Sequence, residues 1–442
     1  MTDRIDVQDF INTHPYSGFQ KRILVLCFLV VALDGFDTAL VGFIAPAVQS
    51  SWKVGPTELT PLMMAGLFGL LIGSFLFGPL ADRFGRKTLL VITTALFGLM
   101  SIAAGFSENI TQLTIFRFLT GLGLGGALPN AIALCSEYSP DKRRASLVAL
   151  MVCGFTVGMA ASGLIAAAVI PSMGWQWVLY IGGGLPLILL PTLILFLPES
   201  ANFMALIGNR REQIWSALNR ISPGSLEPTA EFETPAVLPG IPAKQIFSGG
   251  LCNGTILLWC GFFMSLLIVY LVGNWLPLIL TEAGIATSNA ALITTGFHLG
   301  GSVGAIVLGW LMDRFDENKV LATSYAMASI VILFISLASG AIAIVAAGVV
   351  AAGFCISGAQ VGLNALASGY YPTSARGTGV SWANGVGRTG SIVGSLIGGT
   401  LIVLGWGASN ILLLLVVPAL MASAAMFAMG RVRRRAAAPF SG

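Results

Sequence analysis

The chain has 442 residues, of which 56% are hydrophobic and only 10% are charged, and its mean hydropathy is +0.87. A soluble domain usually contains about 25% charged residues, so this chain lacks the polar side chains to cover a water-facing surface. The composition excludes a soluble globular protein. The net charge of +4 is interpreted as an effect of basic loops and not as a sign of nucleic-acid binding.

Apolar stretches of roughly 20 residues, long enough to cross a bilayer core, recur along the whole chain. Each is predicted to be a helix, because only a helix satisfies its own backbone hydrogen bonds inside lipid. The first six predicted spans cover residues 23–48, 60–80, 88–106, 111–135, 146–170 and 176–197. The second six cover residues 251–280, 289–312, 319–338, 340–366, 378–403 and 407–430. The predicted fold class is therefore an all-α integral membrane protein with twelve transmembrane helices in two six-helix bundles.

A polar, proline-rich stretch separates the two sets of spans and divides the chain into nearly equal halves. It is predicted to be a linker with one short amphipathic helix near residues 203–219. The predicted organisation is a cytosolic N-terminal segment at 1–22, a six-helix bundle at 23–197, a cytosolic linker at 198–250, a second six-helix bundle at 251–430 and a basic cytosolic tail at 431–442.

Lysine and arginine residues predict the orientation in the membrane. With the N-terminus in the cytosol, 20 of the 23 basic residues fall in cytosolic segments, and only Lys53 falls in an external loop. The positive-inside rule then places both termini in the cytosol, which requires an even number of spans. No cleavable signal peptide is expected, since no small-residue cleavage site follows the first apolar run. The expected location is the inner (plasma) membrane.

The two halves repeat each other in sequence. Asp82-Arg83-Phe84, after the second predicted span, returns as Asp313-Arg314-Phe315 after the eighth, 231 positions later. The segment Glu137–Arg144 is echoed by Gly369–Arg376 at a displacement of 232. Two matches at almost the same offset indicate an internal repeat. Repeated six-helix halves place a substrate site at their interface, near the middle of the membrane.

Three motifs resemble a known family. Gly78-Pro-Leu-Ala-Asp-Arg-Phe-Gly-Arg-Lys87 resembles the signature loop of the major facilitator superfamily. Asp34-Gly-Phe-Asp-Thr38, running on to Pro46, resembles the first helix of its aromatic acid:proton symporter family. Leu197-Pro-Glu-Ser200 resembles the end of the sixth helix, which sugar porters share. The resemblance implies the major facilitator fold and a transporter, not an enzyme, that imports a benzoate-like or hydroxybenzoate-like acid by proton symport through alternating access.

Four charged residues, Asp34, Asp37, Arg117 and Arg388, lie well within predicted spans. Each would cost roughly 2.5–3.5 kcal/mol at the bilayer centre, so each needs a partner or a water-filled cavity. Asp34 and Asp37 are three residues apart, on neighbouring sides of one helical face. Close carboxylates disfavour simultaneous ionisation, which predicts a proton-coupling site with Asp37 favoured over Asp34. The alternative is a permanent salt bridge between one or both acids and Arg117.

Arg388 is predicted to bind the substrate carboxylate, because its planar fork matches a carboxylate in two-point contact and stays charged. The alternative is a charge pair with Asp34 or Asp37. His298, near the middle of the eighth predicted span, suits a substrate hydrogen bond or proton relay, or else a hydrogen bond within the bundle. The family resemblance favours a functional role. Further substrate-binding candidates, with helix packing as their alternative role, are Tyr270, Asn274, Trp275, Gln360, Asn364, Trp382 and Asn384.

The family resemblance also implies a conformational gate on the cytosolic side. Its predicted residues are Gly78, Asp82, Arg83, Gly85, Arg86, Glu137, Arg144, Asp313, Arg314 and Arg376. Asp82, Arg83, Arg86 and Arg144 are expected to form an ion-pair network with Glu137. The second-half loop ends Asp313-Arg314-Phe315-Asp316 and lacks the second glycine, which predicts a weaker gate. Arg117 resembles the fourth-helix arginine of proton-coupled members, and both direct coupling and a structural ion pair stay open.

Two other functions fit less of the sequence. Efflux antiporters of the superfamily typically carry a Gly-Pro pair in the fifth helix, whereas Gly158 is followed here by Met159. The sequence contains no metal-ligand cluster, nucleophile–base pair or sizeable extramembrane domain that would support an integral-membrane enzyme or receptor. No metal, cofactor or nucleic-acid partner is predicted. The expected partners are an aromatic carboxylate, protons and the lipid bilayer, and the expected state is a monomer.

Overall fold

The computed structural model describes residues 5–201, 203–204, 211–227, 231–233, 246–247, 251–337, 342–371 and 376–437. Within these residues, twelve helices are long and apolar enough to cross a membrane. Spans 1 to 6 are Gly18–Trp52, Pro56–Phe84, Arg86–Gly105, Ile110–Glu137, Arg144–Met173 and Trp175–Phe196. Spans 7 to 11 are Cys252–Glu282, Thr287–Met312, Glu317–Leu337, Ile342–Tyr370 and Arg376–Val403. Span 12 consists of two consecutive helices, Ala408–Leu414 and Val416–Ala437. The predicted multi-pass helical architecture is confirmed.

The observed helices coincide with the predicted spans but mostly extend beyond them. Span 1 begins at Gly18, five residues before its predicted start at 23, and continues to Trp52. A helix of this length is about 52 Å long, whereas the hydrocarbon core is about 30 Å thick. Hydropathy detects only the part within lipid, so the polar turns that project from the membrane escape a sequence-based prediction.

The chain packs as two compact units. Unit 1 comprises Met1–Thr38, Phe68–Met159 and Leu179–Pro239, and unit 2 comprises Ala39–Leu67, Ala160–Val178 and Gly240–Gly442. In unit 1, span 3 packs along span 4; in unit 2, span 7 packs on span 11, span 8 on span 10 and span 9 on span 12. The boundaries of the two six-helix bundles inferred from the sequence stay a prediction.

Glycine lets the helices of unit 2 approach closely. Gly304 of span 8 lies against the backbone of Phe354 in span 10, and a Cβ there would collide with the Phe354 carbonyl oxygen. Gly390 of span 11 faces the carbonyl of Phe263 in span 7 in the same way. Small residues at such contacts allow backbone-to-backbone packing, which is a main source of helix association within lipid.

A small polar assembly covers one end of unit 1. The N-terminal helix Val7–Thr13, capped by Asp6, contacts the linker helix Arg211–Asn219. Strand β1 (Ile5–Asp6) pairs in parallel with strand β2 (Phe232–Glu233). The sequence predicts the linker helix near 203–219; the structure describes it from residue 211 to 219, and residues 205–210 lie outside the described ranges.

Candidate functional site

Asp37 of span 1 and Arg117 of span 4 form a buried ion pair in unit 1, with exposed fractions of 0% and 1%. Arg117 Nη2 lies 2.8 Å from Asp37 Oδ2. Nη1 donates a hydrogen bond to Oδ1 at 3.0 Å, and Nη2 donates to the Asp37 main-chain oxygen at 2.9 Å. A guanidinium held at several points is fixed in orientation as well as in charge. The salt bridge that the sequence left open is therefore present for Asp37.

Ser101 of span 3 is a third member of this group, and sequence reasoning missed it. Its fully buried hydroxyl donates a hydrogen bond to Asp37 Oδ1 at 2.8 Å. A serine within an apolar span is ordinarily interpreted as a packing residue, so only the fold reveals that it faces the carboxylate. Two donors, Arg117 Nη1 and the Ser101 hydroxyl, therefore converge on Oδ1 of Asp37.

Asp34 lies one helical turn before Asp37 and has different surroundings. It is 1% exposed and accepts a hydrogen bond from the Thr38 hydroxyl at 3.3 Å. The carboxylates three residues apart are thus distinguished by their neighbours: Arg117 and Ser101 contact Asp37, and Thr38 contacts Asp34. Different environments for adjacent acids are the condition under which one carries a proton while the other keeps its charge.

His298 of span 8 is buried in unit 2 with 1% exposure. Neither of its ring nitrogens has a hydrogen-bond partner among the described residues. The ring packs edge-on against Phe43 of span 1, with centroids 6.4 Å apart, and against Phe297 at 5.6 Å. Buried polar groups normally find a partner. The predicted alternative of a hydrogen bond within the bundle is therefore not seen among the described residues, and a substrate contact by His298 stays a prediction.

Arg388 of span 11 is half-buried. In the part of the chain that the structure describes, no ion pair or hydrogen bond engages its guanidinium. Gln360 of span 10 also has a buried side-chain oxygen without a partner among the described residues. Arg388, His298 and Gln360 thus each have side-chain polar atoms without a partner among the described residues, and a substrate contact by them stays a prediction.

The other predicted substrate contacts are mostly engaged within unit 2. Asn274 Nδ2 donates to Ser395 Oγ at 2.8 Å, and Trp275 Nε1 donates to the Ser395 main-chain oxygen at 2.8 Å. Asn384 Nδ2 donates to Asn364 Oδ1 at 3.0 Å. These bonds join span 7 to span 11 and span 10 to span 11, which is the packing role that the sequence left as the alternative.

Two aromatic candidates complete the predicted set. Tyr270 is buried in span 7, with 5% exposure. Trp382 of span 11 is exposed and stacks on Trp259 of span 7, with centroids 6.1 Å apart. A substrate contact by either residue stays a prediction.

The predicted gate loop is built around Gly85, between spans 2 and 3. Its φ of 98° lies in the left-handed region that favours glycine, and a Cβ would collide with the carboxylate of Glu199. Glu199 accepts a hydrogen bond from the Lys87 backbone N–H at 2.9 Å, at the start of span 3. An acidic side chain is stabilised at a helix N-terminus by the helix dipole. Glu199, noted in the sequence only as part of a shared motif, thus anchors this loop.

Glu137, at the end of span 4, forms an ion pair with Arg86 and accepts a hydrogen bond from the Ser200 hydroxyl. The next residue, Tyr138, donates to the Glu199 main-chain oxygen at 2.6 Å. Burial raises the pKa of the Tyr138 hydroxyl, so it stays a donor at physiological pH. Two hydroxyl donors therefore link the end of span 4 to the segment after span 6.

Among the described residues of the predicted gate network, Arg86 pairs with Glu137, whereas Arg144 and Arg83 have other neighbours. Arg144 follows Asp141 by three residues and forms an ion pair with it at 2.6 Å. Arg144 also donates a hydrogen bond to the Ser136 main-chain oxygen. Arg83 is exposed and lies over the Phe84 ring. Gly78 has open space around its Cα. The Asp82 side chain lies outside the described part of the structure.

The corresponding loop of unit 2 is different. Arg314 lies over the ring of Trp310, 3.9 Å from its centroid. Asp313 is exposed and forms no ion pair among the described residues. Arg376 begins span 11, and its side chain lies outside the described part. A gating role for these three residues stays a prediction.

Comparison with known proteins identifies the family. The model of the Major Facilitator Superfamily matches residues 27–256 and 258–441. The chain is 44% identical to the 4-hydroxybenzoate transporter PcaK of Pseudomonas aeruginosa, over 97% of each chain. It is 45% identical to a gallate transporter of Pseudomonas putida, over 98% of this chain and 96% of that one. The chain belongs to the aromatic acid transporters of the major facilitator superfamily.

A solved structure has the same fold. The crystal structure of a D-xylose–proton symporter matches with a TM-score of 0.72 and 17% sequence identity, covering 93% of this chain and 98% of that one. At this identity the likeness concerns the fold alone. Members of this superfamily are transporters, so the protein is a multi-pass membrane transporter and not an enzyme.

Proposed function

We propose that this transporter imports an aromatic carboxylate together with a proton across the inner (plasma) membrane by alternating access. The observation that carries the proposal is the buried group of Asp37, Arg117 and Ser101 in unit 1. An ionised carboxylate deep within a span changes its charge only by taking up a proton. The similarity to transporters of 4-hydroxybenzoate and gallate supports the class of substrate.

Asp37 is the proposed proton carrier. Its Oδ1 accepts hydrogen bonds from Arg117 and Ser101, and loss of the negative charge on protonation would weaken the contact with Arg117. Without a counter-charge, each charge near the bilayer centre costs roughly 2.5–3.5 kcal/mol. When one member of a buried ion pair loses its charge, the other member bears that cost. Taking up a proton is therefore coupled to a movement of span 1 against span 4, which is the kind of local change that transport requires.

The substrate is proposed to bind through unused groups of unit 2. The guanidinium of Arg388 matches a carboxylate in two-point contact, as anions of this kind require. His298 has two unpaired ring nitrogens and lies against Phe43, so it can bond a ring hydroxyl beside an apolar wall. Both 4-hydroxybenzoate and gallate combine one carboxylate, which Arg388 would bind, with ring hydroxyl groups, which His298 would bind.

Charge balance determines the driving force. One proton moving with one monoanion carries no net charge, so the pH gradient alone drives accumulation. Each additional proton would add about 2.3 kcal/mol for every 100 mV of membrane potential. The simplest cycle consistent with a single coupled carboxylate, Asp37, is therefore electroneutral.

The proposed arrangement places both termini in the cytosol, because the basic residues concentrate in segments on that side. The loop around Gly85 and the Arg86–Glu137 pair would then lie on the cytosolic side. There they can stabilise the state in which the inner side is closed. The transporter is proposed to act as a monomer, since the groups proposed to bind the proton and the substrate all belong to one chain.

Uptake by the full-length protein in liposomes tests the proposal. Radiolabelled 4-hydroxybenzoate should accumulate above its external concentration when the lumen is more alkaline than the outside, and a protonophore should abolish this. Clamping the membrane potential should leave the initial rate unchanged. Asp37→Asn should abolish accumulation driven by the gradient. Full accumulation by this variant would refute the proton role, and expulsion of the acid under the same gradient would indicate an antiporter.

A competition panel separates substrate class from coupling. Benzoate, 4-hydroxybenzoate and gallate should compete with the labelled acid, whereas benzamide, which has the ring but no negative charge, should compete poorly. Running the panel at two pH values distinguishes ionisation of the competitor from protonation of the carrier. Equal competition by benzamide would contradict recognition of the carboxylate.

A further inference from the structure

A cavity of about 260 Å³ lies in unit 2, where span 9 begins and span 12 ends. Among the described residues, its lining consists of Asn318, Lys319, Phe427, Gly430 and Arg431. None of them belongs to the proposed transport site. The cavity is at the helix ends, so it lies at a membrane surface.

The cavity carries uncompensated positive charge. Lys319 and Arg431 are exposed, and neither forms an ion pair among the described residues. The neighbouring Arg433 is neutralised by Glu317, with Nη1 2.9 Å from the carboxylate oxygen. Asp316 is also occupied, since its carboxylate accepts the backbone N–H groups of Asn318 and Lys319. Two cations thus face one small cavity while the nearby acids are engaged elsewhere.

The lining is shaped to receive a polar group. The Arg431 guanidinium lies over the Phe427 ring, 4.6 Å from its centroid, which leaves the N–H groups at its edge free for an anion. A Cβ at buried Gly430 would come within 3.1 Å of the Asn318 Cβ, so the glycine keeps the space open. Asn318 is only 5% exposed, and its Oδ1 has no hydrogen-bond partner among the described residues. That oxygen requires a donor.

The surroundings indicate that the ligand carries acyl chains. Phe427 is 52% exposed, and Leu420, two helical turns earlier on the same face of span 12, is 51% exposed. Residues of this kind form the face that a transmembrane helix presents to lipid. A phosphate bound between Lys319 and Arg431 therefore has an apolar surface beside it that suits hydrocarbon chains.

We propose that this cavity binds the headgroup of an anionic glycerophospholipid of the phosphatidylglycerol type. The phosphate binds Lys319 and Arg431, and a headgroup hydroxyl donates to Asn318 Oδ1. Basic residues near a membrane surface contribute about 1 kcal/mol each toward an anionic lipid, so two of them correspond to roughly 30-fold in affinity. The site is independent of proton coupling and of the transported acid.

Lipid binding to the purified full-length protein in detergent tests this proposal. Native mass spectrometry and thermal unfolding are measured with phosphatidylglycerol, phosphatidylcholine and inorganic phosphate. The wild-type protein should bind phosphatidylglycerol and melt at a higher temperature with it, but not with the other two. Lys319→Ala/Arg431→Ala should lower the affinity about 30-fold. Lys319→Arg/Arg431→Lys, which keeps both charges, should retain binding.

Matched controls make the outcome decisive. Lys142→Ala/Arg143→Ala removes two exposed basic residues outside the cavity and should bind phosphatidylglycerol like the wild type. Asn318→Leu should weaken binding of phosphatidylglycerol and not of phosphatidic acid, which has no headgroup hydroxyl. Equal affinity in the wild-type and Lys319→Ala/Arg431→Ala proteins would overturn the site. An equal response to inorganic phosphate would overturn its assignment to a lipid.

Discussion

Arg117 contacts both the side chain and the backbone of Asp37: Nη1 donates to carboxylate Oδ1 at 3.0 Å and Nη2 to the main-chain oxygen at 2.9 Å. Only the first contact depends on the charge of the carboxylate. Protonation of Asp37 would therefore weaken one attachment between spans 1 and 4 and leave the other in place. This provides a physical route by which a proton loosens the two helices without separating them.

The ion pair should contribute measurably to stability. Asp37→Asn leaves the Arg117 charge buried without its counter-ion, which should destabilise the protein by about 3 kcal/mol. The double variant Asp37→Asn/Arg117→Gln should recover part of this loss. Thermal unfolding in detergent measures both. Asp141→Asn is the matched control, since its pair with Arg144 is half-exposed (39% and 52%) and should contribute below about 1 kcal/mol. Equal losses for Asp37→Asn and Asp141→Asn would contradict this account.

Ser101 should tune the pH dependence of uptake. Ser101→Ala removes one hydrogen bond to the Asp37 carboxylate. The ion pair of Asp37 with Arg117 is kept, and so is Asp34 on the same helix. The pH of half-maximal uptake should therefore differ from that of the wild type, because a hydrogen bond to a charged group contributes about 1.5–3 kcal/mol. Ser101→Thr keeps the hydroxyl and should retain most of the wild-type profile.

Ser162→Ala provides the control for the serine variant. Ser162 is also fully buried in a span, but its hydroxyl has no hydrogen-bond partner among the described residues. Its removal should leave the pH profile unchanged. A profile of Ser101→Ala that coincides with the Ser162→Ala profile would show that Ser101 has only a packing role.

Arg388 should control affinity for the carboxylate. Arg388→Ala removes a charge-assisted two-point contact worth about 1.5–3 kcal/mol, which corresponds to a 10- to 150-fold higher half-saturation concentration for 4-hydroxybenzoate. Arg388→Lys keeps the charge but loses the planar fork, so its half-saturation concentration should lie between those of the wild type and Arg388→Ala. Initial uptake rates over a concentration series measure this effect. An unchanged half-saturation concentration in Arg388→Ala would exclude the contact, and Arg143→Ala serves as the exposed control.

The loop between spans 2 and 3 should tolerate no side chain at Gly85. Gly85→Ala places a Cβ at a φ of 98° and against the Glu199 carboxylate, which should destabilise the loop by about 1–3 kcal/mol. The maximal uptake rate should fall, while the half-saturation concentration stays near that of the wild type. Gly184→Ala is the control, because a Cβ there meets no atom within 4 Å. Normal uptake by Gly85→Ala would remove the loop from the gating mechanism.

The sequence predicted the twelve spans well because lipid imposes a strict condition on each of them separately. A stretch of about 20 apolar residues must be helical within the bilayer, whatever its neighbours are. The same condition made Asp34, Asp37, Arg117 and Arg388 conspicuous, since an isolated charge within a span is costly. Motifs in the first span and in the loop after the second then indicated the family that the comparisons show.

The sequence by itself therefore determined where the chain crosses the membrane, which charges lie within it and which family it belongs to. Only the tertiary structure decided that Arg117 binds Asp37, that Ser101 completes this group and that His298 packs against Phe43. These contacts depend on the rotation and packing of helices far apart in the chain, where each side chain has several possible partners. Hydropathy and spacing describe one helix at a time, so they cannot choose among those partners.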